Sequence, residues 1–191
     1  MSGRRRLRTI VADTSALVSL GVVSADPTFE TDSTPDPLRF LLTSCTVSVP
    51  PTVVSELRAV AQYDDIHAAA ATNVLAARPH YSVVDPYERT ATPDSRPSFG
   101  LDDGETDAIV LANALEADGV LTDEFGGTNF ALVHAALVGP RIVPTPRLVC
   151  DYDRNGYMET EAVRTLLETI GDHRSWDESP YVAQLLAQLD E

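Results

Sequence analysis

The stretch Ile10-Val11-Ala12-Asp13-Thr14-Ser15-Ala16-Leu17 decides how the rest of the chain is read. Its first residues are continuously apolar, as in a strand buried on both faces of a parallel sheet. Asp13, Thr14 and Ser15 then fit a helix start, where a side-chain oxygen accepts the unpaired N–H groups of the first turn. This reading predicts a strand over 7–12 and a helix from 13 to about 20, ended by Gly21. Asp13 then stands at the carboxyl end of a strand, the place where open parallel sheets bind ligands.

Three further carboxylates have similar surroundings. Glu56 lies at the edge of the apolar stripe Val53, Val54, Leu57, Val60 and Ala61, on a helix opened by Pro50-Pro51. Asp107 lies inside an apolar helix predicted over 102–116. Asp123 follows the strand-like run 119–122. A carboxylate in such surroundings is costly unless something pairs with it. Four of them, from distant parts of the chain, point to one shared partner. A divalent cation fits, because hard cations prefer oxygen ligands.

The remaining pattern alternates. Strands are predicted over 46–49, 81–84 and 141–143, and helices over 37–42, 66–77 and 129–138. That alternation predicts an α/β fold, a parallel central sheet with helices on both faces. Residues 24–37 read as a loop. Residues 85–100, with Pro86, Pro93, Pro97 and Gly100, read as a longer one, and long loops in compact domains often serve as lids. Past Arg147 the alternation stops. Two amphipathic helices, over 159–170 and 177–189, follow with no strand between them. The expected organisation is a domain over 1–147 and a helical appendage over 148–191, free to pack on the domain, form a dimer interface or hold a partner.

The charge narrows the setting. There are 29 acidic against 14 basic residues, giving a formal net charge of −15, and every basic residue is arginine. A lysine-free acidic surface resembles proteins that work in molar salt, where the Debye length falls to about 3 Å and self-repulsion is screened. A halophilic archaeal source is the expectation. Acidity argues against electrostatic nucleic-acid binding in ordinary salt, but molar salt suppresses that term for every protein, so a nuclease stays open. No apolar run approaches the ~20 residues that span a bilayer, and residues 1–6 lack the apolar core of a signal peptide. The expected location is the cytoplasm, with no membrane contact. Arg4, Arg5, Arg6 and Arg8 read as a solvated terminus or as a phosphate clamp.

Other motifs carry less. Asp151, Asp153, Asn155 and Gly156 imitate the start of a calcium loop, but the position that needs a bidentate glutamate is Ala162. A polar turn is expected there. His67, His80, His134 and His173 have no partner at ligand spacing. Cys45 and Cys150 match no zinc or redox motif and read as free thiols. There is no nucleophile elbow and no phosphate-binding glycine loop. Asp13 as a phosphatase nucleophile would want a second acid two residues on, where this chain has Ser15.

Four segments in order resemble the PIN-domain nucleases: Val11 to Leu17, Val53-Val54-Ser55-Glu56-Leu57, Gly104-Glu105-Thr106-Asp107-Ala108-Ile109-Val110-Leu111-Ala112, and Gly119-Val120-Leu121-Thr122-Asp123-Glu124. The resemblance covers about residues 6–147. It implies an endoribonuclease that hydrolyses RNA phosphodiester bonds with Mg²⁺ or Mn²⁺ held by Asp13, Glu56, Asp107 and Asp123. The family pattern puts its third acid directly before the Ala-Ile pair, which selects Asp107. Periodicity leaves Asp107 and Glu105 both open, since residues 108–112 are apolar all round. Glu105 is expected as an accessory. Thr14, Ser15 and Thr122 are expected to orient carboxylates, or simply to cap a helix and end a strand. The pattern is similar to VapC-like toxins, which implies an antitoxin partner; a homodimer is a further expectation. The alternative is a PIN-like module that binds RNA or protein without cutting.

Overall fold

Five short strands pair side by side, all parallel, in the computed structural model, which describes residues 7–29, 36–89, 92–174, 176 and 178–189. They are β1 (Thr9–Ala12), β2 (Thr46–Val49), β3 (Ser82–Val83), β4 (Gly119–Thr122) and β5 (Arg141–Pro144), in the order β3-β2-β1-β4-β5. β1 lies at the centre, with Ile10 beside Val47 on one flank and Gly119 on the other. Its residues alternate between faces, as a pleated strand requires. Ile10 and Ala12 enter the larger hydrophobic core, while Val11 enters a smaller one with Ala108, Leu111, Ala112 and Val120. The expected α/β sheet, covered on both faces, is therefore present. Arg4, Arg5 and Arg6 lie outside the described residues.

Helix α1 (Thr14–Ala25) is buried all round from Ala16 to Val23, the mark of a helix with no solvent face. It runs through Gly21, against the expectation that this glycine stops it. Gly21 instead permits a close helix contact. A Cβ there would meet the Ala70 carbonyl oxygen at 2.9 Å and Val74 Cγ2 at 3.2 Å. Both belong to α4 (Ile66–Ala76), whose alanines Ala70 and Ala71 are fully buried. Gly21→Ala sets a gain in helix propensity of about 1 kcal/mol against overpacking of about 1–3 kcal/mol. Because the nearest atom is backbone and cannot rotate away, overpacking should win by about 1 kcal/mol in a denaturant titration. Equal or higher stability would show that the two helices move apart freely.

The other helices begin where local chemistry allows. Asp36 caps α2 (Pro37–Ser44) by accepting from Leu38 and Arg39 N–H. Pro51 occupies the first turn of α3 (Pro51–Val60), where its missing N–H is no loss. Asp102 caps α5 (Asp103–Leu115). Then follow α6 (Gly127–Ala136), α7 (Thr145–Arg154), α8 (Thr160–Arg174) and α9 (Pro180–Ala187).

Helix α7 runs through Asp151 and Asp153, so the polar turn expected before the next helix begins only at Asn155. Asp151 pairs with Arg147 at 3.1 Å, and Asp153 accepts from the Thr160 hydroxyl at 2.8 Å. The apolar face of α7, Leu148, Val149, Cys150 and Tyr152, joins the same core as Leu17. Val163, Leu166, Leu167 and Ile170 of α8 join it too, as do Val182 and Leu185 of α9. The core thus passes without a break across residue 147. Among the described residues no helix is long and apolar enough to cross a membrane.

Candidate active site

The strand order turns between β1 and β4: one half of the sheet grows from β1 through β2 to β3, the other from β4 to β5. Such a switch point leaves a crevice beyond the carboxyl ends of the two strands. Asp13 and Asp123 are the residues that follow them. The Asp13 N–H donates to the Leu121 carbonyl at 3.0 Å, so the two strand ends are bonded to each other at the crevice.

Asp13 is 3% exposed and caps α1, accepting from Ala16 N–H at 2.8 Å and from the Ser15 hydroxyl at 2.9 Å. Burial pushes its pKa up to about 7, against the hydrogen bonds from Thr122, Ala16 and Ser15; the charge of Asp123 pushes the same way as burial. Asp123 accepts from Ser19 of α1 and, at 3.3 Å, from Arg174 of α8, both on Oδ2. Its other oxygen, Oδ1, is buried and has no hydrogen-bond partner among the described residues.

Glu56 reaches the crevice from α3 and accepts the Thr14 hydroxyl. Gly104, in the first turn of α5, is what lets α3 and α5 approach there, since a Cβ would overlap both Glu56 carboxylate oxygens. Burial raises the Glu56 pKa, the Thr14 bond opposes it, and the nearby charges of Asp102 and Asp103 add to it. Glu105, the next residue of that turn, is half-buried. Burial and the charges of Asp102, Glu124 and Glu56 push it up to about 7. Asp13, Glu56 and Glu105 line one cavity of about 330 Å³, with Thr14, Ser15 and Arg174 also in its wall. A larger groove of about 790 Å³ runs past Phe99, Val110 and Val138, but among the described residues Glu116 is the sole ionisable side chain lining it. Size alone does not mark the site.

Asp107 does not join this cavity. Its carboxylate, 4% exposed, faces the other way and accepts Arg96 Nε and Nη2, both at 2.8 Å, the Tyr87 hydroxyl at 2.6 Å and the Thr52 hydroxyl at 3.0 Å. Burial alone would raise its pKa; the hydrogen bonds from Arg96, Tyr87 and Thr52 outweigh burial and hold it below the ordinary value. Burial, together with its bond to Asp107, pushes the Tyr87 phenol well up. Glu105, expected as the accessory, lines the cavity, and Asp107, expected as a ligand, does not. Two residues apart on a helix, they point in different directions, and Glu105 is the one that faces Asp13 and Glu56. Thr14 donates to Glu56, and Ser15 and Thr122 bond Asp13.

Sequence reasoning missed Ser19, Arg96 and Arg174. A signal existed for Ser19, which stands four residues after Ser15 as the one hydroxyl in the run 16–23 of α1. None existed for Arg96 or Arg174, which arrive from a loop and from the C-terminal helices.

The donor set suits a hard divalent cation: the groups are carboxylates, and one of them keeps a buried acceptor unused. Among the described residues, no three such side chains are drawn together closely enough to ligate an ion directly. The fit is therefore to a hydrated ion of the Mg²⁺ kind, which keeps several waters and takes one or two carboxylates.

The family model DUF3368, a PIN domain, matches residues 37–191, and the chain belongs to the PIN-domain family, whose members are generally nucleases that use divalent metal ions. The match includes α7, α8 and α9 as well as most of the sheet. No curated protein and no solved structure matches the chain.

Proposed function

We propose that this chain is a metal-dependent endoribonuclease whose cation site is formed by Asp13, Glu56, Glu105 and Asp123. The observation that carries the reading is the cavity at the strand ends, which Asp13, Glu56 and Glu105 line and which Asp123 adjoins through its contact with the wall residue Arg174. Two of its carboxylates, Asp13 and Glu105, are pushed up to about 7. Such a cluster is costly in the folded chain and is relieved by a bound cation. Mg²⁺ or Mn²⁺ held there would stabilise charge on a scissile phosphate and supply an activated water.

The chain's own part is orientation. Ser15, Thr122 and the Ala16 N–H fix the Asp13 carboxylate. Thr14 fixes Glu56, and Ser19 fixes Asp123. Such outer partners commonly change metal affinity or activity 10–100-fold, roughly, when removed. Asp107 serves the fold instead. With Arg96, Tyr87 and Thr52 it fastens the 85–100 loop and α3 to α5. The reading is tested by incubating a labelled single-stranded RNA with Mn²⁺ or Mg²⁺. Cleavage that chelation abolishes is expected. Binding without cleavage at any metal concentration would overturn the enzyme reading and leave an RNA-binding module.

The finer assignment is the toxin of a toxin–antitoxin pair, supported by the likeness of its motifs to VapC-like toxins, acting in the cytoplasm and held in check by a protein partner. Growth arrest on expression, relieved by the product of a neighbouring small gene, is the expected result; growth without arrest would favour an RNA-processing role. We further propose that the fold requires salt, because the net charge is −15 with no lysine. The melting temperature should climb from dilute buffer to molar KCl, where the screening length is about 3 Å. A flat or falling curve would contradict it.

A further inference from the structure

Arg174 is the last residue of α8, far along the chain from every acid of the cavity. Its Nη2 meets Asp123 Oδ2 at 3.3 Å, and its side chain is 23% exposed against 9% for Asp123. The contact is longer than the ~2.7–2.9 Å of a charge-assisted hydrogen bond and engages one nitrogen. It also falls on the wrong oxygen for neutralisation. Oδ2 already accepts the Ser19 hydroxyl, while buried Oδ1 is left without a donor. A guanidinium committed to Asp123 would bridge both oxygens in a fork. Of its five N–H donors, one is used among the described residues, and the side chain forms part of the cavity wall.

The turn that carries Arg174 is anchored through its neighbour His173. His173 Nε2 lies 2.8 Å from Asp26 Oδ2 at the end of α1, and His67 Nε2 lies 3.1 Å from the His173 carbonyl oxygen. These two contacts tie the last turn of α8 to α1 and α4 beside the cavity. Asp26 is held down at about 2, first by its hydrogen bond from His173 and then by those from Thr28. Five carboxylates line the cavity, Asp13, Glu56, Asp102, Glu105 and Glu124, and its other polar side chains are engaged: His67 at the His173 carbonyl, Thr14 at Glu56 and Ser15 at Asp13. A phosphodiester entering it needs a fixed donor for its non-bridging oxygens. The chain has no lysine, and Arg174 is the one arginine lining the cavity among the described residues.

We propose that Arg174 is a substrate-binding residue that rests on Asp123 in the free protein and turns to a backbone phosphate of the bound RNA strand. This rests on the ribonuclease reading above. Its test is fluorescence anisotropy of a short labelled single-stranded RNA, with Mn²⁺ present and the Asp13→Asn protein as a non-cutting background. Affinity is followed over several KCl concentrations. Adding Arg174→Gln should weaken binding about tenfold, the size of one charged hydrogen bond. It should also lower the slope of log affinity against log salt by about 0.7, the loss of one phosphate contact on a single strand. Arg174→Lys should keep the slope, because the charge is kept, and a melting curve for each variant reports its folding. Unchanged affinity and slope in Arg174→Gln, with only the melting temperature moved, would make Arg174 a structural partner of Asp123 and overturn the inference alone. No RNA binding in any variant, the Asp13→Asn background included, would overturn the ribonuclease reading and this inference with it.

Discussion

Asp107→Asn should destabilise the protein by about 2–3 kcal/mol while leaving metal-dependent cleavage measurable at temperatures well below its melting point. The carboxylate is almost fully buried and accepts four hydrogen bonds, two from one guanidinium. An asparagine has one acceptor oxygen, and its NH₂ would face the Arg96 donors. Breaking a buried pair by removing one partner costs roughly 3–5 kcal/mol. Arg96 is 36% exposed and keeps Asp103 at 2.6 Å, which places the cost below that range. The pH dependence has a definite sign. Asp107 is held below its ordinary pKa, so its contribution is present above the unfolded value near 4 and is lost as pH falls through the folded one. The gap between wild type and variant in a denaturant titration should therefore close in acid. A variant as stable as wild type but unable to cut would return Asp107 to the cation site.

Asp13→Asn should do the reverse. Without metal at pH 8 it should be more stable than wild type by a few kcal/mol, and it should lose cleavage by at least ~100-fold, beyond what outer partners of a metal site typically give. Asparagine caps a helix as well as aspartate does, so α1 keeps its start. The Asp13 pKa is raised from 3.8 to about 7 by burial. Between those values the folded protein binds more protons than the unfolded chain, so stability falls as pH rises through that window and the full penalty stands above it. A rise of that size corresponds to on the order of 4 kcal/mol. Near pH 4 the two proteins should melt alike, and at pH 8 they should differ most. Mn²⁺ added at pH 8 should raise the melting temperature of the wild type and barely move that of the variant. A wild type whose metal-free stability is flat from pH 4 to 8 would mean that ionising Asp13 costs the fold nothing.

The sheet and the strand-end acids were legible because both rest on local signals. A continuous apolar run, a carboxylate and a helix cap are adjacent in the chain at Asp13, and a similar run precedes Asp123. The choice between Glu105 and Asp107 was not legible, because α5 is apolar on every side beyond them. What sets the two carboxylates apart is Arg96, which pairs with Asp107 and comes from a loop whose course no periodicity describes. Gly21 illustrates the same limit. A glycine reads as a stop when seen alone, and only the backbone of Ala70 on another helix shows why it is needed. Helix α7 was hidden by its own charges. Asp151, Asp153 and Asn155 imitate a loop, although Leu148, Val149 and Tyr152 carry its buried face. Which of the three outcomes left open for the C-terminal helices holds was not legible, because no strand accompanies them. Their burial against α1, and the reach of Arg174 to Asp123, depend on contacts far apart in sequence.

The proposed cation site is made of Asp13, Glu56, Glu105 and Asp123. Calorimetric titration of Mn²⁺ into wild type, Glu105→Gln and Asp107→Asn, in a salt concentration where all three are folded, addresses it most directly. One site is expected in the wild type, much the same affinity in Asp107→Asn, and a loss of affinity of tenfold or more in Glu105→Gln, about 1.4 kcal/mol. Weakened binding in Asp107→Asn with Glu105→Gln unaffected would contradict this assignment.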